Sequence, residues 1–238
     1  MSTTATDWPT QVRLPGQVAA PDGPVDMQTM YVMHHGFRRD LDKFTKAVRS
    51  TPVEARRTWA LLAERWDLLN EVLHHHHAGE DAGIWPWLLE RADESERATL
   101  EAMEAEHEQI DPLLQSSAEG FRRLAEAPDE DARAALSVRV TALRDALTRH
   151  LAHEESDAIA ILQKYMTQAE WLELDEKHFK DEKLTLGKVL RIVPWAAHGV
   201  PREPRDRVLA EAGTPFKVVW MLTRRRFARR EREAFAYA

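Results

Sequence analysis

Apolar residues recur along most of this chain at intervals of three and four positions, which is the spacing of one face of an α-helix. Phe37, Leu41 and Phe44 follow this spacing, and similar sets occur further along. Alternating runs of β-branched residues are missing, whereas Ala, Leu, Glu and Arg are frequent. The pattern therefore predicts an all-α fold.

The first half of the chain contains the signals for two long helices. The first helix is predicted from about Asp26 to Ser50. The second is predicted to begin at Thr51-Pro52-Val53-Glu54, which offers an N-cap Thr, a Pro at the first helical position and a capping-box Glu. It is expected to continue to Leu89, with a kink at Pro86.

Two further long helices are predicted before residue 166. The third begins near Asp93 or Ser95 and is expected to be disturbed at Pro112, and the fourth runs from about Asp129 to Leu162. Helices joined by short connections pack antiparallel, so the prediction is an up-and-down four-helix bundle over residues 26–166.

The remaining segments differ in composition from the bundle. Residues 1–25 contain four prolines and lack a basic start followed by an apolar stretch, which favours an extended, weakly ordered arm over a signal peptide. Residues 167–238 are predicted to add helices that pack on the bundle. The first starts at a Thr167–Glu170 capping box, the second covers Leu184 to Val193, and the last begins at Gly213-Thr214-Pro215.

The amino-acid composition excludes several kinds of functional site. With no cysteine the chain has no disulfide, thiolate nucleophile, zinc ribbon or iron–sulfur cluster, and this favours a cytoplasmic location. The longest apolar runs fall far short of the roughly 20 residues that span a bilayer, so no transmembrane segment is expected.

The net charge of −7 conceals an asymmetry. Residues 1–185 hold 21 Lys and Arg against 35 Asp and Glu, whereas residues 186–238 hold 12 against 5. The basic run Arg224–Arg232 could face nucleic acid, an anionic membrane or an acidic partner. The acidic body offers it a partner within the same chain, so nucleic-acid binding is not expected.

One arrangement of metal-binding residue types occurs twice. A His is followed 42 or 43 residues later by the motif HxxxE, and the second copy lies 73 to 74 residues after the first. Residues four apart lie on one face of a helix, so a nitrogen and an oxygen donor can point at one ion. The spacing therefore predicts a duplicated metal site. Its residues are His34, His76 and Glu80 in the first copy and His107, His150 and Glu154 in the second.

Other donors flank these six residues. Asp111 lies four residues after His107 and is a possible seventh ligand. Asp81 and Glu155 follow the two motif glutamates and either orient the His rings or lie in solvent. Gly79 and Gly83 indicate local unwinding or close helix approach beside the site. Five histidines flank the predicted ligands, namely His35, His74, His75, His77 and His153. His34 is preferred over His35 because it lies on the apolar face, and His74, His75 and His77 are expected to be exposed or to lie behind the ligands.

The pattern H…HxxxE…H…HxxxE resembles that of the hemerythrin-like proteins with the HHE cation-binding domain. The flanking stretches HHGFRRDL, HHHHAGEDAGIWPWL, EHEQIDPLL and HLAHEESDAIAIL agree with it, and the resemblance covers about residues 26–166. It implies a diiron centre with two bridging Glu carboxylates and terminal His ligands. The oxygen-carrying hemerythrins have five His, whereas this pattern has four, which favours reaction with O2, peroxide or NO over firm reversible O2 carriage.

Two classes of function remain open from the sequence. The chain is either a module that binds O2, NO or iron for sensing, storage or protection, or a non-haem diiron oxidoreductase. The enzyme would be an oxidase or oxygenase acting on a small organic substrate, or a catalyst that decomposes H2O2. Zinc or manganese is a weaker alternative to iron, because spacing does not select among divalent ions. No catalytic acid, base or nucleophile is identified beyond the metal set.

Overall fold

The protein is described here from a computed structural model, which covers residues 8–179 and 185–238. Across these two ranges every regular element is a helix, as the sequence predicts. The first elements are α1 (Gln28–Ser50), α2 (Arg56–Gly79), a π-helical turn (Glu80–Ile84), α3 (Trp85–Leu89), α4 (Glu94–Glu126) and α5 (Glu130–His153). They are followed by a second π turn (Glu154–Ala158), α6 (Ile159–Tyr165), α7 (Gln168–Leu174), a third π turn (Asp175–Phe179), α8 (Leu186–Ala197), α9 (Arg202–Glu211) and α10 (Thr214–Ala234).

The bundle consists of α1, α2 with α3, α4, and α5 with α6. Helix α4 packs along both α2 and α5, and α1 packs mainly along α5. The centre of this core is aromatic: the ring of Phe44 lies 4.8 Å from that of Trp66 and 5.3 Å from that of Phe121. All three side chains are fully buried, so the predicted helical faces meet in one apolar interior.

Several helix boundaries differ from the prediction. The second helix begins at Arg56, because Thr51 is buried and ends α1 by donating its N–H to Ala47, and Pro52 is part of a turn closed by Ala55. At Pro86 the expected kink is replaced by the preceding π turn, and the proline lies in the first turn of α3, where a missing N–H is tolerated.

Other prolines have less effect than expected. Pro112 lies inside α4, which continues from Glu94 to Glu126 without ending there. Pro194 lies inside α8, and α9, which the sequence does not predict, begins at the end of the proline-rich stretch and runs to Glu211. The Thr167–Glu170 capping box is present as predicted.

The described part of the N-terminal arm, residues 8–25, is fixed to the bundle. The side chains of Val12, Leu14 and Val25 are buried among residues of α1 and α6. Gln163 of α6 accepts from the Val25 N–H at 2.9 Å and donates to the Val25 carbonyl at 2.8 Å. The expectation of a weakly ordered arm is therefore wrong for this part, because its apolar side chains complete the core at this end of the bundle.

The C-terminal helices share the core of the bundle. Trp195 of α8 and Phe235, just after α10, are buried against bundle residues. Arg230 of α10 pairs with Glu64 of α2, and Arg191 of α8 lies 3.7 Å from Glu71. The acidic body thus partners the basic tail, as expected. None of the helices that the structure describes is long and apolar enough to cross a membrane.

Candidate metal centre

The six residues of the duplicated motif come together inside the bundle. His34 is on α1, His107 is on α4, and His76 and His150 lie in the last turns of α2 and α5. Glu80 and Glu154 each begin a π turn. The exposed fraction of every one of the six is 5% or less.

The two π turns are related by the same offset as the motif itself. Glu80–Ile84 and Glu154–Ala158 are 74 residues apart, and each follows directly on the helix that carries the motif His. A π turn inserts one residue into the helical ladder and re-aims side chains, and such turns are frequent at functional sites. The duplication therefore extends from residue types to backbone conformation.

The donor atoms form two groups that share one carboxylate. In each group, one donor atom from each residue lies within 4.8 Å of the others. The first group comprises His34, His76, Glu80 and Glu154, and the second comprises His77, Glu80, His107 and His150. A carboxylate common to two groups can bridge two cations.

The two glutamates each lie between histidines from both halves of the chain. Glu80 oxygens are 3.1 Å from His76 Nε2 and 3.5 Å from His107 Nε2. Glu154 Oε2 is 3.3 Å from His34 Nε2 and 3.8 Å from His150 Nε2. The interior of the site is thus lined by Nε2 atoms and carboxylate oxygens.

Three of the imidazoles are held from behind by a carboxylate. The Nδ1 atoms of these rings lie 2.8 to 3.0 Å from an outer carboxylate oxygen. The pairs are His34 with Glu155, His107 with Asp81 and His150 with Glu106. A carboxylate accepts here, so each Nδ1 carries a proton, which leaves Nε2 as the atom that can offer a lone pair to a cation.

This tautomer gives a direct test of whether the residues fit a metal. His107 Nε2 and His150 Nε2 lie 3.1 Å apart, and with protons on both Nδ1 atoms two lone pairs face each other. Two nitrogens bound at right angles to one ion at ~2.1 Å would be about 3.0 Å apart. Other buried donors also lack partners, namely His34 Nε2, His76 Nε2 and both oxygens of Glu80 and Glu154. The donor set fits a buried cation pair.

The pKa shifts of the buried site residues also fit a cation site. Burial, together with the neighbouring Glu154, raises the pKa of Glu80 well above its ordinary value. Burial alone would lower the pKa of His34, but Glu154 and Glu155 raise it to about 9. Burial lowers the pKa of His76 far below its ordinary value. Without a cation these shifts favour a proton on Glu80 and on His34, and bound metal would displace such protons.

The structure corrects the expectation for one histidine. His77 was expected to point away from the site, but it is 2% exposed, belongs to the second group and stacks on His107 with ring centroids 3.9 Å apart. It was missed because Leu151, not a histidine, stands at the corresponding position of the second half. Its one sequence signal was its place three residues before Glu80, on the same helical face.

The other flanking donors lie outside both groups. His74 and His75 are exposed, His35 Nδ1 faces the Pro15 carbonyl, and His153 shares Glu106 with His150. Asp111, the possible seventh ligand, is in neither group, and its Oδ1 lies 4.0 Å from His77 Nδ1.

The two glycines beside the site allow a close approach. A Cβ atom on Gly79 would lie 2.7 Å from the ring of Phe179, and one on Gly83 would lie 2.9 Å from the ring of His178. Both expected features, a changed helical geometry and a close approach, are present here. The π turn does not require glycine, because the second copy has His153 and Asp157 at these positions.

The family model of the hemerythrin HHE cation-binding domain matches residues 25–162. This range is more than half of the chain and contains both π turns and both donor groups. No curated protein and no solved structure matches the chain significantly.

Proposed function

The chain belongs to the hemerythrin HHE family, and from this premise we propose that it is a diiron protein that binds or reacts with O2, peroxide or NO. The observation that carries the proposal is the pair of buried donor groups that share Glu80. The role that we propose for such a site is sensing, storage or protection. We place this function in the cytoplasm.

We assign the first iron position to the first donor group and the second position to Glu80, His107 and His150. Imidazole and carboxylate together suit iron, and four histidines leave coordination positions open. Bound there, the irons would supply redox-active Lewis-acid sites for a small ligand.

The surrounding residues orient the donors and keep water out. Glu155, Asp81 and Glu106 hold the Nδ1 protons and thereby fix three ring orientations. Arg38 donates to both oxygens of Glu155, at 2.7 and 3.0 Å, and fixes that carboxylate in turn. The ring of Phe37 lies 5.2 Å from that of His76 and closes one side of the site.

One surface cleft that could hold an organic molecule lies away from the metal centre. This cleft of about 670 Å³ lies between α2, α8 and α10 and is lined by residues such as Leu68, Leu190 and Phe227. It touches none of the six motif residues. An oxygenase needs its substrate beside the metal, and this cleft does not provide that position.

The test is the metal content of protein purified from iron-fed cells, with visible spectra before and after addition of O2, NO and then H2O2. We expect about two irons per chain and a charge-transfer spectrum that changes reversibly with a small ligand. Glu80→Gln should lose most of the iron, whereas Glu119→Gln, an exposed change on α4, should keep it. Zinc, manganese or no metal in wild-type protein would refute the diiron proposal. Rapid, sustained consumption of H2O2 would favour the enzyme.

A further inference from the structure

The two halves of the site carry the same six motif residues but differ at the position directly after the HxxxE histidine. Offsets of 73 or 74 residues relate His34 to His107, His76 to His150 and Glu80 to Glu154. The same offset relates His77 to Leu151, which is fully buried in the apolar core. One half therefore has an additional imidazole where the other half has a hydrocarbon.

His77 is an almost completely buried imidazole whose two ring nitrogens have no hydrogen-bond partner in the described part of the protein. Its ring stacks on His107 at 3.9 Å with an interplanar angle of 10°, and it lies edge-on to His150 at 5.4 Å. A buried imidazole that packed only as an apolar filler would leave two polar atoms unsatisfied, which is unfavourable.

The orientation of the ring repeats the pattern of its neighbours. In His34, His107 and His150 the Nδ1 atom faces an outer carboxylate and Nε2 faces the interior. The Nδ1 atom of His77 faces Asp111 Oδ1 at 4.0 Å, and that oxygen is itself buried without a partner. A shift of about 1 Å would give His77 the same arrangement.

We propose that His77 is a fifth histidine ligand, which binds through Nε2 to the metal position formed by Glu80, His107 and His150, with Asp111 as the residue that orients it. The inference rests on the proposed metal centre. It makes the two positions chemically different: the first has two imidazoles and two carboxylates, and the second has three imidazoles with the shared carboxylate. The second position would hold its ion as a separate, distinguishable site.

The experiment replaces His77 by the residue that the other half already has. His77→Leu is compared with His74→Leu, an exposed neighbour on the same helix, by titration of the metal-free proteins with Fe(II) under anaerobic conditions. We expect His77→Leu to lower the affinity of one of the two irons by at least about tenfold and to leave the other unchanged. His74→Leu should bind as wild type does. Circular dichroism of the metal-free variants confirms that both are folded.

A measurement on the wild-type protein keeps the inference testable if His77→Leu fails to fold. In the Co(II)-loaded protein each ligand imidazole that keeps an N–H gives one exchangeable, hyperfine-shifted proton resonance. Five such resonances are expected, and four would overturn the assignment of His77. Unchanged affinity of both irons in folded His77→Leu would also overturn it. These results differ from failure of the proposed function, in which wild-type protein would bind no iron pair.

Discussion

At the scale of single residues, three of the four motif imidazoles, those of His34, His107 and His150, are each oriented by a carboxylate behind the ring. Glu155 is the best connected of these carboxylates, because it accepts from His34, from Arg38 and from the backbone N–H of Val18. Glu155 therefore connects the N-terminal arm to α1 and to the proposed ligand His34. Its charge keeps the proton on His34 Nδ1 and leaves Nε2 free for a cation.

Substitution of this carboxylate should weaken metal binding without removing a ligand. We expect Glu155→Gln to lower iron affinity about 10- to 100-fold, because His34 loses the negative partner that fixes its tautomer. Competition with a chelator measures the affinity. Exposed Glu119→Gln is the control, and equal affinity in the two variants would contradict the role given to Glu155.

Single residues also show which parts of the site can be predicted from the sequence and which cannot. The six motif residues were found because they recur at a fixed offset, and all six lie in the two donor groups. His77 has no counterpart in the repeat, so periodicity could not select it from a run of four histidines. Asp111 was considered because it lies one turn after His107, but its oxygen turns towards His77 on the neighbouring helix. Such contacts depend on how each helix is rotated about its axis relative to its neighbour, and the spacing of residues along the chain does not determine that rotation.

At the scale of elements, the sequence predicted the bundle helices better than their internal geometry. The apolar spacing and the cap at Asp93 indicated the helices, because these signals are local. The π turns at Glu80 and Glu154 were not predicted as such, since a single inserted residue leaves the apolar pattern almost unchanged. The early start predicted for α2 was wrong because Thr51 is buried and ends α1 instead.

Docking of α8 on α1 depends on a glycine. A Cβ atom at Gly36 would lie 2.9 Å from the ring of Trp195, which is fully buried. We expect Gly36→Ala to reduce the free energy of unfolding of the metal-free protein by about 1–3 kcal/mol. This is a net loss, because the overpacking against Trp195 costs more than alanine gains from its higher helix propensity. Urea denaturation measures this change.

Gly187 of α8 is the matched control for this prediction. The nearest atom to a Cβ there is 3.7 Å away, so Gly187→Ala should be neutral or stabilise by up to about 1 kcal/mol. If both variants have the same urea midpoint, close contact at Gly36 is not what positions Trp195.

The same junction contains a buried charge. Asp40 is inaccessible to solvent and accepts from Arg65 at 2.7 and 3.0 Å and from the Trp195 indole N–H at 2.8 Å. Asp40→Asn would leave the Arg65 charge buried without its partner. We expect a loss of about 3–5 kcal/mol in the free energy of unfolding. Exposed Asp42→Asn should change it by less than about 0.5 kcal/mol, and a similar small change at Asp40 would show that the buried pair does not hold the junction together.

At the scale of the whole molecule, the C-terminal helices cannot be separated from the bundle without opening its core. Phe235 lies 5.1 Å from Phe44, the aromatic residue at the centre of the four helices. The charge asymmetry predicts correctly that the basic tail meets the acidic body, because opposite charges attract whatever the exact contacts are. Which side chains enter the shared core could not be predicted, since α8 runs into a proline-rich stretch of irregular pattern and α10 comes after it.

Attachment of the C-terminal helix should therefore depend on pH. Glu231 of α10 pairs with Lys43 of α1 and with His198. Burial alone would raise the pKa of Glu231, but hydrogen bonds from His198 and Lys43 lower it to about 2. A depressed carboxylate pKa stabilises the folded state at pH values above the ordinary value of about 4.3. This contribution, about 2–3 kcal/mol, is lost as the pH falls towards 2.

Urea denaturation of the metal-free protein at intervals from pH 6 to pH 2.5 tests this dependence. Glu231→Gln should be less stable than wild type at pH 6, and the difference should shrink steadily below pH 4.5 because protonation removes the same charge from the wild-type protein. Glu233→Gln, an exposed change on the same helix, should follow the wild-type curve throughout. A constant difference between Glu231→Gln and wild type at every pH would mean that lost packing, and not the charge of Glu231, accounts for the effect. The acid dependence of the attachment would then have to come from Asp40, whose pKa is also held well below its ordinary value; although its burial opposes the charged form, Arg65 and Arg39 stabilise it.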